Sequence, residues 1–196
     1  MRIIDNDLNP CIVDHEFDLI KDQPLDGVLH FNYTTKDWCE KVIAAAEANG
    51  IWTKERHESY PTHDMLLVDL DKDINQNYVN ALDNHIKPML IDEFTLEGEI
   101  ADCDWVYECF IAKYSPTEQP RLSLHHDSAI FASVLVLNED FEGGGTYFSR
   151  QKKLVKGKTG EMTVHPGQIT HRHGGRPVTE GTRYILVTFI NYIKSK

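Results

Sequence analysis

The chain has 196 residues, a length that fits one domain with a sizeable core and is cramped for two. Its 20 Lys+Arg against 31 Asp+Glu leave a net charge of −11, and so acidic a surface repels nucleic-acid phosphates and anionic membranes unless a local basic patch overrides it; none is visible. Hydrophobic residues at 41% and charged residues at 26% exclude a wholly disordered, collagenous or fibrous chain.

The opening residues lack a basic segment followed by an apolar run, and the longest apolar stretches anywhere are about five residues, so neither a signal peptide nor a membrane span is expected. A cytoplasmic or otherwise soluble intracellular location follows as an expectation. Cys11, Cys39, Cys103 and Cys109 lie at wide or odd spacings without a CxxC, which predicts free thiols in a reducing compartment rather than a zinc ribbon or a disulfide framework.

Residues 35–49 read as a helix: Thr35 as the cap, Asp37 in the first turn, Trp38, Val42, Ala45 and Ala46 on the apolar face, and Gly50 as the stop. A second helical pattern spans about 74–86, where Ile74, Tyr78, Ala81, Leu82, His85 and Ile86 recur at helical steps; Pro88 is expected to end or kink it. The aromatic and His positions of both helices read as core packing. After Asp104 the pattern changes to short β-rich runs at 105–114, 129–137, 146–149, 161–164 and 184–192, punctuated by Gly143-Gly144-Gly145, Gly157, Gly160, Pro166-Gly167 and Gly174-Gly175. This is a β-sandwich or jelly-roll rhythm without an internal repeat. It predicts one domain over 1–196, with helical support over about 34–92 on one face of a β core over about 104–193.

In Leu124-His125-His126-Asp127-Ser128 an imidazole and a carboxylate stand two residues apart, and on an extended segment such residues point to the same side. His125 and Asp127 could share one metal, with His126 facing away. A third ligand from another strand would place two histidines and one carboxylate on one face of an octahedral ion, leaving open positions for a bidentate cosubstrate and O₂. His165, His171 and His173 are the candidates, and alternation alone does not separate His171 from His173. Arg183 bears on the choice. A cosubstrate such as 2-oxoglutarate chelates iron at one end and extends a carboxylate from the other, which a guanidinium can hold bidentately. Arg183 lies ten residues past His173, after a Gly/Pro-rich connection that could return the chain as the neighbouring strand.

These phrases resemble the iron and 2-oxoglutarate dependent dioxygenases, specifically the procollagen lysyl hydroxylases and, more distantly, the prolyl 4-hydroxylases. The resemblance covers about 110–190 and rests on Lys113-Tyr114-Ser115-Pro116-Thr117-Glu118-Gln119-Pro120, His125-His126-Asp127, Val136-Leu137-Asn138, Phe141-Glu142-Gly143-Gly144-Gly145, His165-Pro166-Gly167, Thr170-His171-Arg172-His173-Gly174-Gly175 and Gly181-Thr182-Arg183-Tyr184. It implies a double-stranded β-helix core, an α+β fold that is mainly β (jelly roll, cupin-like). It implies His125, Asp127 and His173 as Fe(II) ligands and catalytic residues, Arg183 as anchor of the distal carboxylate of 2-oxoglutarate, Tyr114 as a hydroxyl donor to that cosubstrate, and ascorbate to restore Fe(II). Pro61-Thr62-His63-Asp64-Met65 is similar to a family phrase near the mouth of the site. The large glycosyltransferase-type regions of the collagen-modifying enzymes are absent from this sequence, and its ending departs from the family's Asp-Pro, so dimerisation is not carried over.

His171 and His126 read as flanking rather than ligating residues, His165 as a structural turn histidine, the glycine triplet as a β turn, and Asn138 as a side chain holding a turn. The function expected is Fe(II)/2-oxoglutarate-dependent hydroxylation of a peptidyl side chain, with lysine preferred, so the partners are a peptide or protein substrate and O₂, without nucleic acid or membrane. The rivals are prolyl hydroxylation, a non-catalytic cupin-like metal or sugar-binding module keyed on His171 and His173, and a zinc hydrolase.

Overall fold

The structure, a computed structural model, describes residues 25–57, 59–96, 100 and 103–193. In chain order its strands are β1 (Leu29–Asn32), β2 (His63–Leu66), β3 (Asp104–Tyr114), β4 (Phe131–Val136), β5 (Phe141–Gly143), β6 (Thr146–Phe148), β7 (Lys153–Val155), β8 (Glu161–Pro166), β9 (His173–Gly175), β10 (Val178–Gly181) and β11 (Arg183–Ile193). The helices are α1 (Lys36–Asn49), α2 (Leu67–Leu70), α3 (Lys72–Ala81) and α4 (Lys87–Glu93), with a π-helical turn at Leu82–Ile86 between the last two. An antiparallel major sheet has the order β1-β8-β4-β11-β3-β2. Opposite it stand the small pairings β10-β5 and β7-β6-β9.

Strand alternation divides the major sheet between two environments. On β11, Leu186 and Ile190 point outward and are essentially buried in the main apolar cluster, whereas Arg183, Ile185, Val187 and Phe189 face inward and line the cavity between the sheets. The same parity holds on β3, where Cys109 and Ile111 join the outer cluster and Phe110, Ala112 and Tyr114 the inner one. Strand β4, in the sheet interior, is buried at every position because both of its faces are covered.

The outer face is covered by the helices. Thr35 accepts a hydrogen bond from the Trp38 amide, and Gly50 closes α1 in the left-handed region at φ 69°, so both helix ends fall where the sequence puts them. Trp38 stacks on Tyr78 of α3 with centroids 5.8 Å apart, and Tyr33 meets Tyr78 edge-on. Full burial of each large apolar side chain here is worth about 1.5–3 kcal/mol.

One expectation is narrowed and two change. Of the two outcomes expected at Pro88, an end or a kink, the helix does not end: the π turn passes the chain into α4, keeping Leu82, Ile86 and Leu90 on one fully buried face. A proline early in α4 needs no amide donor, and the wider turn before it relieves the clash that an uninterrupted α-helix would impose. The N-terminal half is not purely helical, since β1 pairs with β8 and β2 with β3 at the two edges of the major sheet. Both strands are too short for alternation to reveal. Third, β11 is not the neighbour of β9; β9 pairs with β6 in the minor layer, and Arg183 reaches the site from the opposite sheet.

Cys39 and Cys109 are buried free thiols, as expected, and Cys103 is buried as well; Cys11 lies outside the described residues. Among the described residues, no helix is long and apolar enough to cross a membrane.

Candidate metal and cosubstrate site

His125 and His173 form an isolated antiparallel bridge, each amide donating to the other's carbonyl at 2.8 and 2.9 Å. This reciprocal pair fixes two imidazoles side by side, with ring centroids 4.6 Å apart. Two residues on, the Asp127 amide donates to the Gly167 carbonyl at 2.9 Å, which turns the carboxylate toward both rings. Gly167 is required there: a Cβ would fall 2.3 Å from the Ala129 carbonyl oxygen and 3.2 Å from Asp127 Cβ. The expected shared side of His125 and Asp127 is therefore real, and of the three candidates for a third ligand it is His173 that meets them.

One ligand atom from each of His125, Asp127 and His173 lies within 4.8 Å of the others, and all three residues are buried. His125 Nδ1 donates to the Ser123 carbonyl at 2.8 Å and His173 Nδ1 to the His171 carbonyl at 2.9 Å. A carbonyl oxygen only accepts, so each Nδ1 carries a proton and each Nε2 is left facing the Asp127 carboxylate, at 3.2 and 3.5 Å. Two imidazole nitrogens and a carboxylate aimed at one point form a donor set that suits Fe(II) or Zn²⁺. Burial pulls His125 down, but its bonds to Asp127 and Ser123 outweigh this and raise it. Burial likewise works against the Asp127 carboxylate, while the His125 bond and the surrounding imidazoles hold it below the usual range. Burial keeps His173 lowered despite Asp127.

The other histidines back these three. His165 is not a turn residue; it lies in β8, fully buried, with its ring 4.6 Å from that of His173. Burial first, then His173, push it down to about 3, so it packs as a neutral ring. His171 is buried, hydrogen-bonded to Thr170 and to the Asp26 carbonyl and packed on Phe148, where it supports the strand leading to His173. His126 is exposed, as alternation predicts.

The triad opens into a cavity of about 430 Å³ whose inner wall carries Arg183 and Tyr114. These two are cross-strand partners in the β11-β3 register, and the guanidinium sits 5.8 Å from the Tyr114 ring centroid. Arg183 is 4% exposed and, among the described residues, has no carboxylate partner; burial pulls its pKa down and Tyr114 opposes this. Burial pushes the Tyr114 hydroxyl up to about 12, with Arg183 acting in the opposite direction, so it remains a donor at neutral pH. A buried guanidinium without an anion is costly unless an anion arrives, and a ligand carboxylate is the natural one. Asn138 straddles this position, donating to the Thr182 carbonyl and accepting from the Tyr184 amide, both at 2.8 Å, and so pins the start of β11. The glycine triplet is a left-handed turn, and Gly144 packs where a Cβ would lie 3.1 Å from Arg183 Cδ.

The mouth of the cavity was not legible in the sequence beyond the Pro61-Thr62-His63-Asp64 phrase. Arg56, His57 and Tyr60, from the loop preceding that phrase, form one wall, and Tyr60 packs against the His125 ring at 5.1 Å. Asp64, fully buried, holds this loop by accepting from Arg56 at 2.6 Å and from the Thr62 hydroxyl. Phe110 and Phe189 complete the wall, and the even spacing from Tyr114 and odd-numbered Arg183 respectively was the available signal for them.

No protein-family model matches the chain. It is 32% identical over 185 residues to the multifunctional procollagen lysine hydroxylase and glycosyltransferase LH3 of Homo sapiens, covering 88% of this chain and 24% of that protein. With the procollagen-lysine,2-oxoglutarate 5-dioxygenase of Drosophila melanogaster it shares 31% identity over 182 residues, 86% of this chain and 25% of the relative. The chain thus spans about a quarter of the length of these curated relatives. Among solved structures it is similar to a viral collagen prolyl hydroxylase of Paramecium Bursaria Chlorella virus-1 (TM-score 0.63, 17% identity, 86% of this chain and 97% of that one). A Pseudomonas putida prolyl-4-hydroxylase gives a TM-score of 0.65 at 14% identity, covering 87% and 94%. The facing sheets are accordingly the double-stranded β-helix of these proteins, and the chain is a homologue of the procollagen lysine hydroxylases on the fold of the 2OG-Fe(II) oxygenases.

Proposed function

We propose that the chain is an Fe(II)/2-oxoglutarate-dependent dioxygenase that hydroxylates a peptidyl side chain, with lysine as the preferred target. The observation that carries this reading is the pairing of two features in one cavity: three convergent side chains of metal-ligating type, and a buried guanidinium with no carboxylate partner among the described residues. In the proposed assignment His125, Asp127 and His173 hold Fe(II), and Arg183 grips the distal carboxylate of 2-oxoglutarate. Bound iron and 2-oxoglutarate supply the oxidising power, with O₂ converted at the expense of the cosubstrate, which leaves as succinate and CO₂.

The protein's own residues perform the remaining work. The backbone pair between His125 and His173 fixes the placement of the two imidazole donors relative to each other. Tyr114 donates its hydroxyl toward the same carboxylate that Arg183 holds, which orients the cosubstrate. Ile185, Val187 and Phe110 keep the inner wall apolar and exclude water from the reacting C–H. Ascorbate, which keeps the family's iron reduced, is part of the proposal, as is a peptide or protein substrate.

Prolyl hydroxylation is the second reading, favoured by the fold likeness to prolyl hydroxylases. Arg183 speaks for lysine, because prolyl 4-hydroxylases commonly place Lys at that position. A non-catalytic binding module leaves without purpose a buried Arg183 that has no carboxylate partner among the described residues. The test is anaerobic addition of Fe(II) and 2-oxoglutarate. A weak visible charge-transfer band that disappears in His125→Ala, together with succinate released on adding O₂ and a lysine peptide, is the expected result. Absence of the band in folded, iron-loaded protein overturns the proposal, and the residue carrying a +16 Da mass increment separates lysine from proline.

A further inference from the structure

A second hollow of about 630 Å³ adjoins the first and shares Arg56, His57, Ser128 and Phe189 with it. Its outer floor is Leu66, Val68, Tyr107 and Glu108, so the second space lies beside the first along β3, across the shared side chains. Between them stands Arg56, whose guanidinium bridges two carboxylates, Asp64 and Glu108, while lying 4.9 Å from the centroid of the Phe110 ring.

Charge counting at this bridge decides what the second hollow favours. One guanidinium faces two carboxylates, so one negative charge is left over. His57, with Nε2 at 3.7 Å from Asp64, compensates it only when protonated. Asp64 is fully buried, whereas the Glu108 side chain is half exposed. The surplus negative charge is therefore presented at Glu108, inside the second hollow. Val68, 38% exposed, and Leu66 offer apolar surface beside it, which matches a side chain with an aliphatic stem and a cationic head. The net charge of −11 adds long-range attraction for the same sign of ligand.

We propose that this hollow is a subsite for the substrate peptide, in which Glu108 selects a Lys or Arg that flanks the residue being modified. The inference rests on the peptidyl-hydroxylase reading above and goes beyond it by naming a specificity-determining residue. The target side chain enters past Phe110 and Phe189 toward His125, Asp127 and His173, while the flanking cation lies over Val68 with its head at the free oxygen of Glu108.

The test uses fluorescence anisotropy of labelled lysine peptides, identical except for Arg, Ala or Glu beside the central lysine, with the iron- and 2-oxoglutarate-loaded protein held anaerobic. Arg-flanked peptide is expected to bind about tenfold tighter than Glu-flanked peptide, the size of one charge contact near a surface. In Glu108→Gln, which keeps an acceptor for Arg56, the gap should fall below about twofold. A second variant, Val68→Arg, sets a cation in the hollow without touching the bridge and should weaken the Arg-flanked peptide selectively. Equal affinities in the wild type, no binding of any peptide, or a preference unchanged in both variants overturns the subsite. With O₂ admitted in a parallel assay, a preference lost in the variants but no succinate from any peptide sinks the hydroxylase reading and keeps the subsite; succinate without any flank preference does the reverse.

Discussion

The two faces of the major sheet are built from alternate residues of the same strands, yet they solve opposite problems. The outer face spends its positions on large apolar side chains: Leu186, Ile190, Ile111 and Leu135 close against Trp38, Tyr78 and Leu82 in one continuous cluster. The inner face holds a smaller cluster and buries Arg183 and Tyr114 next to a cavity. The difference teaches where stability and chemistry are divided. Helix packing supplies the free energy that lets the inner face carry desolvated polar groups and an unfilled space.

Substitutions on the two faces should therefore fail differently. The largest expected effect is on the inner side. Asp127→Ala should abolish the charge-transfer band and lower succinate formation by at least roughly 100-fold while leaving thermal unfolding near the wild-type midpoint, because ligand loss is a chemical rather than a packing defect. A large fall in Tm with the band retained would break the proposed division. On the outer side, Trp38→Ala removes a ring stacked on Tyr78 and should cost about 3–5 kcal/mol in denaturant unfolding. Protein that remains folded should keep its affinity for iron.

Arg183→Gln keeps hydrogen-bonding atoms but removes the charge, and should raise the KM for 2-oxoglutarate by about 10–100-fold with a smaller change in kcat. An unchanged KM would show that the distal carboxylate is held elsewhere. Gly144→Ala tests the boundary between the faces. With φ at 60° and a Cβ at 2.7 Å from the Phe141 ring, it should cost about 1–3 kcal/mol and raise the same KM only severalfold, by displacing the Arg183 stem. The smallest effect belongs to Thr35→Ala, which removes the α1 cap and should cost about 0.5–2 kcal/mol in unfolding with no change in turnover.

Much of this division is legible in the chain. The α1 boundaries follow from Thr35 and Gly50 because caps are local devices, read from a few neighbouring residues. The long strands β3 and β11 are visible because β-rich composition marks them over many residues, and the shared side of His125 and Asp127 is suggested by the alternation of an extended segment. What escaped is what depends on distant partners. β1 and β2 are four residues each and are strands only because β8 and β3 offer them edges. His165 sits beside a turn signal, Pro166-Gly167, yet belongs to a strand whose partner β4 is about 30 residues away. Pro88 reads as a stop or a kink, and only the buried spacing of Leu82, Ile86 and Leu90 decides that the helix continues, through a widened turn.

By itself the sequence determined the chemistry on offer: two imidazoles and a carboxylate of the right types, a permanently charged arginine after them, and the periodicities that make helices and strands. Which of His165, His171 and His173 meets the HxD pair was decided in three dimensions, by a reciprocal backbone bridge between residues 48 positions apart and by Arg183 arriving from the facing sheet rather than an adjacent strand. The loop holding Arg56 over Asp64 and Glu108 was decided there too. The physical reason is that intrinsic preferences act over a few residues, whereas burial, desolvation and the convergence of charges depend on which segments the closed fold brings into contact.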